Sequence, residues 1–121
     1  MKLISATAFA VSTFIFSSTV WAVDMPPLAK KSNCNACHAI DKKLLGPSWM
    51  AISKKYKGAS KYTFKGAEYT LEDGLAMKVA KGGAGNWGTM PMPANSPAIK
   101  EADIKELVKF IIDLEKTNTA E

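Results

Sequence analysis

"NCNACHAID", residues 33–41, contains both cysteines and the single histidine of a 121-residue chain. Cys34, Cys37 and His38 lie within five positions, so any chemistry needing a thiol or an imidazole is confined to this stretch. One reading is a Cys34–Cys37 disulfide, or a thiol–disulfide exchange pair. That chemistry belongs at a strand-to-helix junction in a βαβ context, and no apolar strand precedes Asn33. A second is structural zinc, which needs four nitrogen or sulfur ligands. Only three are at hand, with Cys37 and His38 directly adjacent.

The third reading is covalent attachment of one haem c, whose signature is C-x-x-C-H. On a helix, Cys34, Cys37 and His38 share a face, since residues three and four apart are neighbours. Two thiols can then add across the two vinyl groups of one haem edge while the imidazole reaches the iron. A single cofactor thereby accounts for all three residues.

The flanking sequence fits an exported protein. Lys2 is followed by no charge until Asp24, and Leu3, Ile4, Phe9, Val11, Phe14, Ile15 and Phe16 form an apolar middle. Val20-Trp21-Ala22 reads as a cleavage site, so residues 1–22 are expected to be a cleaved signal peptide. An uncleaved membrane anchor is the alternative, weakened by seven Ser and Thr residues in the run. Residues 23–121 then form one small domain of 99 residues, too short for two cores. The full chain has a net charge of +5, every base is a lysine, and loss of Lys2 leaves +4. A domain this small gains from a staple such as a bound cofactor.

Pro26 and Pro27 suit the first turn of a helix running towards Cys37. Gly46-Pro47 breaks the chain, and Ser48 can cap a short helix bearing Trp49, Ile52 and Tyr56 at helical spacing, ended by Gly58. "SKYTFKGAEYT" alternates around Tyr62 and Phe64. It reads either as a short extended segment or as a loop tucking its aromatics inward. Thr70 with Asp73 marks a helix start. Leu71, Leu75 and Val79 form its stripe, Gly74 weakens it, and Gly82-Gly83 stop it. "GGAGNWGTMPMPANSP", residues 82–97, is too rich in Gly and Pro for a regular element. Loops of this length tend to be functional. The strongest helix spans about 100–116, with Ile104, Leu107, Val108, Ile111 and Leu114 on one face and Phe110 and Ile112 widening it.

No second histidine exists to take the other axial position of the iron, which leaves a methionine sulfur, a lysine amine or an empty position. Met25 and Met50 lie close to His38 in sequence, and Met77 sits on a helix, where methionine usually fills core space. Met90 and Met92 occupy the irregular loop. Pro91 and Pro93 bracket Met92 and restrict its backbone, which favours it over Met90. Simple packing by both remains open.

At this point the chain resembles the small bacterial monohaem cytochromes c of class I. "CNACH", "LLGPSW", "KGGAGNWGTMPMPAN" and the C-terminal helix occur in that family's order and cover most of residues 23–121. The resemblance implies an all-α class I cytochrome c fold, with helices wrapped round one covalently bound haem. It implies Met92 as the axial methionine opposite His38. It implies that the Pro47 carbonyl accepts the His38 ring N–H, that Trp87 hydrogen-bonds a haem propionate, and that Asn95 hydrogen-bonds near the methionine sulfur. The stretch from Ser60 to Asp73 is longer than in compact members, and its role stays open.

The expected function is a periplasmic electron carrier, not an enzyme, shuttling single electrons between transient redox protein partners. Lys30, Lys31, Lys42 and Lys43 flank the motif and Lys54, Lys55 and Lys57 follow. They read either as a solvated basic face or as a positive ring that suits acidic docking faces on those partners. Neither nucleic acid nor stable membrane insertion after cleavage is expected.

Overall fold

Pro26 and Pro27 open the first helix as their fixed φ leads one to expect. In the computed structural model, which describes Ile15 and residues 22–118, helix α1 runs Pro27–Lys31 with Pro26 as its N-cap. The expected leader lies outside the described residues except for Ile15 and Ala22. The helix does not continue to Cys37. Asn33 takes a left-handed conformation, φ 61°, and Cys34–Ala36 form a separate 3₁₀ turn. Asparagine visits this region at little cost because its short polar side chain can bond locally. Residues three apart eclipse in a 3₁₀ turn, so Cys34 and Cys37 keep a common side.

Helix α2 spans Trp49–Lys55, and the Ser48 hydroxyl accepts the Ala51 N–H at 3.1 Å as its cap. The segment that alternates around Tyr62 is one arm of a β-hairpin. Strand β1, Lys61–Phe64, pairs antiparallel with β2, Ala67–Thr70, with Tyr62 opposite Tyr69. Lys65 and Gly66 both have positive φ, 48° and 83°, the signature of a tight turn matched to strand twist. The all-α expectation thus stands with one addition, a two-stranded sheet. Helix α3, Leu71–Lys81, begins at Thr70, whose hydroxyl accepts the Asp73 N–H at 3.2 Å and donates to the Asp73 carboxylate at 2.9 Å. Lys105 adds an ion pair to Asp73 at 3.3 Å. The Thr70 bond, then Lys105, pulls the Asp73 carboxyl below the usual range.

Helix α4, Glu101–Asn118, is the centre of the fold. Its stripe divides between two cores. Ile104 and Val108 pack with Tyr62, Phe64, Leu71, Leu75 and Ala76, the α3 and hairpin side. Leu107, Ile111 and Leu114 pack with Ala29 and Trp49, the α1 and α2 side. Ala29 is fully buried, which anchors a five-residue helix too short to stand alone. Ser53 ties α2 to α4, donating to the Ile112 carbonyl at 3.1 Å and accepting the Glu115 N–H at 3.0 Å. Among the described residues no helix is long and apolar enough to cross a membrane.

Gly74, a weak point by helix propensity, has a packing reason. A Cβ there would lie 2.7 Å from Tyr62 Cβ and 2.8 Å from Cδ1. Alanine should gain about 1 kcal/mol of helix propensity, but overpacking a tight contact costs about 1–3 kcal/mol. Gly74→Ala is therefore expected to lower stability in denaturant unfolding. A gain would mean that the hairpin can draw back from α3 at no cost.

Candidate functional site

The two cores do not close on each other. Between them lies an apolar cleft of about 610 Å³, walled by Leu75, Val79, Trp49, Leu107, Val108 and Ile111, with Cys34, Cys37 and His38 on its lining. Native interiors contain few voids larger than a water molecule, whereas cofactor sites run to about 300–1,000 Å³. This cleft has the size and the apolar walls of a cofactor site. Cys34 and Cys37 are free, partly buried thiols. Burial, with the neighbouring Cys37 adding to it, pushes the Cys34 thiol up despite an opposing backbone hydrogen bond, so it stays protonated. Among the described residues no group of three or more His, Cys, Asp and Glu side chains is placed to hold a metal ion.

The imidazole of His38 is fixed from behind. Its Nδ1 lies 2.7 Å from the Pro47 carbonyl oxygen; a carbonyl only accepts, so Nδ1 is the donor and Nε2 is not engaged by this contact. The loop carrying Pro47 is folded back by Gly46, whose N–H donates to the Cys37 carbonyl at 2.8 Å. A Cβ on Gly46 would meet His38 Cε1 at 2.6 Å. In sequence Gly46 is only a chain break; in the fold its closeness to the ring is what lets Pro47 reach Nδ1.

The second loop reaches the same cleft from the end of α3. Trp87, Met90 and Met92 all line it. Met90 is 63% exposed, while Met92 is partly buried. The Met92 main chain is bonded both ways to Gly83, N–H to carbonyl at 3.0 Å and carbonyl to N–H at 2.9 Å. Asn95 is not on the cleft wall. Its Nδ2 donates to the Val79 carbonyl at 3.0 Å and the Pro93 carbonyl at 3.1 Å. Its own N–H meets the Val79 and Ala80 carbonyls, satisfying orphan acceptors of the last turn of α3. Asn95 thus docks the loop just beyond Met92.

The sequence marks Tyr56 and Tyr62 only as packing aromatics and Lys78 not at all, yet all three line the cleft. Alternation around Tyr62 signals an inward side chain, but nothing local says what it meets. Burial, then Tyr56, pushes the Tyr62 phenol up to about 12, so it remains neutral. Lys78 donates to the Gly83 carbonyl at 2.5 Å. Burial, then the Lys65 charge, pulls its ammonium below the usual range.

A cleft holding a C-x-x-C-H segment and a methionine loop fits a covalently attached haem, and comparison with known proteins agrees. The family profile described as "Cytochrome c" matches residues 27–115. The chain is 39% identical over 87 residues to cytochrome c-551 of Allochromatium vinosum, covering 72% of this chain and 82% of that protein. It is 40% identical over 85 residues to cytochrome c-551 of Azotobacter vinelandii, covering 70% and 90%. The crystal structure of wild-type Nitrosomonas europaea cytochrome c552 superposes with a TM-score of 0.61 at 37% identity, covering 72% of this chain and 95% of that one. The chain therefore belongs to the cytochrome c family of haem-bearing electron-transport proteins, in its small bacterial class I form.

Proposed function

We propose that the protein is a periplasmic carrier of single electrons, with one haem c joined to Cys34 and Cys37 and ligated by His38 and Met92. The observation that carries this reading is the apolar cleft, which gathers two free thiols, an oriented imidazole and a tethered methionine from distant parts of the chain. When bound, the haem supplies an iron that alternates between ferric and ferrous states, and methionine ligation favours the ferrous one. The Pro47 carbonyl fixes the orientation of the His38 ring through Nδ1, which leaves Nε2 available to hold the iron. Leu75, Val79 and Ile111 exclude water, which disfavours extra charge. Held by both His38 and Met92, the haem iron would offer no position to a substrate, and the protein would act as a carrier rather than an enzyme.

Trp87 is placed on the cleft lining, where its indole N–H could serve a propionate, and Asn95 acts through the loop that carries Met92. Residues 1–22 act as the leader, cleaved after Ala22. Redox partners meet the exposed cleft margin, where Leu45 and Met90 are 61% and 63% exposed and Lys43 and Lys78 contribute positive charge. Such a surface suits brief contact with acidic partner faces, an attraction that salt screens.

Export with haem-maturation machinery should give a sharp low-spin c-type absorption spectrum, with the weak long-wavelength ferric band of a sulfur-to-iron transition. High-spin features, or loss of that band, would remove Met92 from the iron. Protein exported without haem would return Cys34 and Cys37 to thiol chemistry.

A further inference from the structure

We propose that the β1–β2 hairpin is a brace for the methionine loop: Tyr62, together with Asn86 and Lys55, holds residues 83–92 against the cleft and keeps Met92 seated. The proposal rests on Met92 being the second iron ligand. It gives the long Ser60–Asp73 segment a task that its sequence leaves open.

The base of the loop is closed by the Gly83–Met92 backbone pair, but between these ends only the Gly85 N–H to Gly88 carbonyl bond at 2.9 Å holds it from within. Gly83, Gly85 and Gly88 all have positive φ, 113°, 109° and 104°, and residues 84–91 are exposed. Glycine loses more conformational freedom on ordering than any other residue, so contacts from outside decide how often such a loop opens. Besides Lys78 of α3, which holds the Gly83 carbonyl at the base, two elements supply them. The Asn86 amide Nδ2 donates to the Tyr62 hydroxyl. From the end of α2, Lys55 Nζ donates to the Asn86 carbonyl at 2.8 Å and lies 4.4 Å from the Trp87 ring centroid, within cation–π range.

Tyr62 is well placed to act as the fixed end. It is 6% exposed, packs edge-on to Tyr56 at 5.4 Å between ring centroids, and sits in the space that Gly74 leaves free. These residues act on the iron through the loop that carries Met92, so they are positioning residues.

The test uses the ferric holoprotein, titrated with imidazole as a competing ligand. Tyr62→Phe keeps the ring and so the packing, and Asn86→Ala removes the partner. Each should raise imidazole affinity about 3–10-fold, the worth of one net hydrogen bond. The double variant should rise no further than Tyr62→Phe alone, since that change removes the Asn86 bond together with the hydroxyl's bond to Tyr56. Exchange of the Gly83 and Met92 amides should speed by a similar factor, while the α4 amides of Ile104, Leu107 and Val108 stay unchanged. Unchanged affinity and exchange in both single variants would overturn the brace. So would equal acceleration in α4, which marks general destabilisation. Met92→Ala in the same titration separates the two ideas: no gain in imidazole affinity there would sink the ligand assignment, and loop exchange alone would then decide the brace.

Discussion

Met92→Ala is expected to raise the affinity of the ferrous holoprotein for carbon monoxide by about 10–1,000-fold. The range follows from linkage: an open minor state is typically about 0.1–10% populated, and apparent affinity is reduced by that fraction. If Met92 holds the iron as proposed, removing its sulfur abolishes the reduction. The variant should remain folded, because the loop is fastened through main-chain atoms. Met92 and Gly83 exchange two backbone hydrogen bonds, Asn95 still grips the Val79 and Pro93 carbonyls, and Pro91 and Pro93 are untouched. Met90→Ala serves as the control. Met90 lines the same cleft but is largely exposed, and its loss should leave carbon monoxide excluded. Should Met90→Ala open the iron while Met92→Ala does not, the two methionines exchange roles.

Gly82→Ala is expected to be the most destabilising single-methyl addition in the loop. Its φ of 69° and ψ of −156° fall in a region open essentially to glycine alone, with strain of about 1–3 kcal/mol for other residues. The new Cβ would also lie 2.3 Å from the Met92 carbonyl oxygen and 2.8 Å from Ala94 N and Pro93 C. All three are backbone atoms and cannot swing away as a side chain would, which adds about 1–3 kcal/mol of overpacking. Together about 2–6 kcal/mol is lost, a large share of the roughly 5–15 kcal/mol that stabilises a typical domain. Since the displaced atom belongs to Met92, the ferric sulfur-to-iron band should weaken along with the denaturation midpoint. Gly85→Ala gives the contrast. Its φ is 109°, yet nothing lies within 4 Å of the place its new methyl would take, so it should lose the strain energy alone. Equal losses at both positions would show that backbone strain, not contact with the methionine segment, sets the cost.

Some of this molecule is legible locally. C-x-x-C-H names its cofactor within five residues, because the spacing itself is the chemistry. The stripe of Ile104, Leu107, Val108, Ile111 and Leu114 points to α4, and all five are buried, since a long amphipathic face has few ways to be satisfied. Thr70 and Ser48 mark helix starts because a cap acts within one turn. Strand β2 is not legible in this way. Ala67–Thr70 is mostly exposed on both faces, so it carries no alternation, and only its pairing with β1 makes it a strand. The residue pattern also overextends α1 towards Cys37, because a single left-handed asparagine leaves no mark in the apolar periodicity.

What the residue pattern alone determined was therefore the haem signature, the main helices and the methionine loop as a candidate. Tertiary structure decided the rest: that Gly46 makes room for the imidazole, Gly74 for Tyr62, and Gly82 for the carbonyl of Met92, and that Asn95 serves the backbone of α3. Each of these is a close approach between atoms brought together from separate segments. A glycine reads the same in sequence whether it breaks a helix or admits a neighbour, and only the neighbour's arrival beside it tells which.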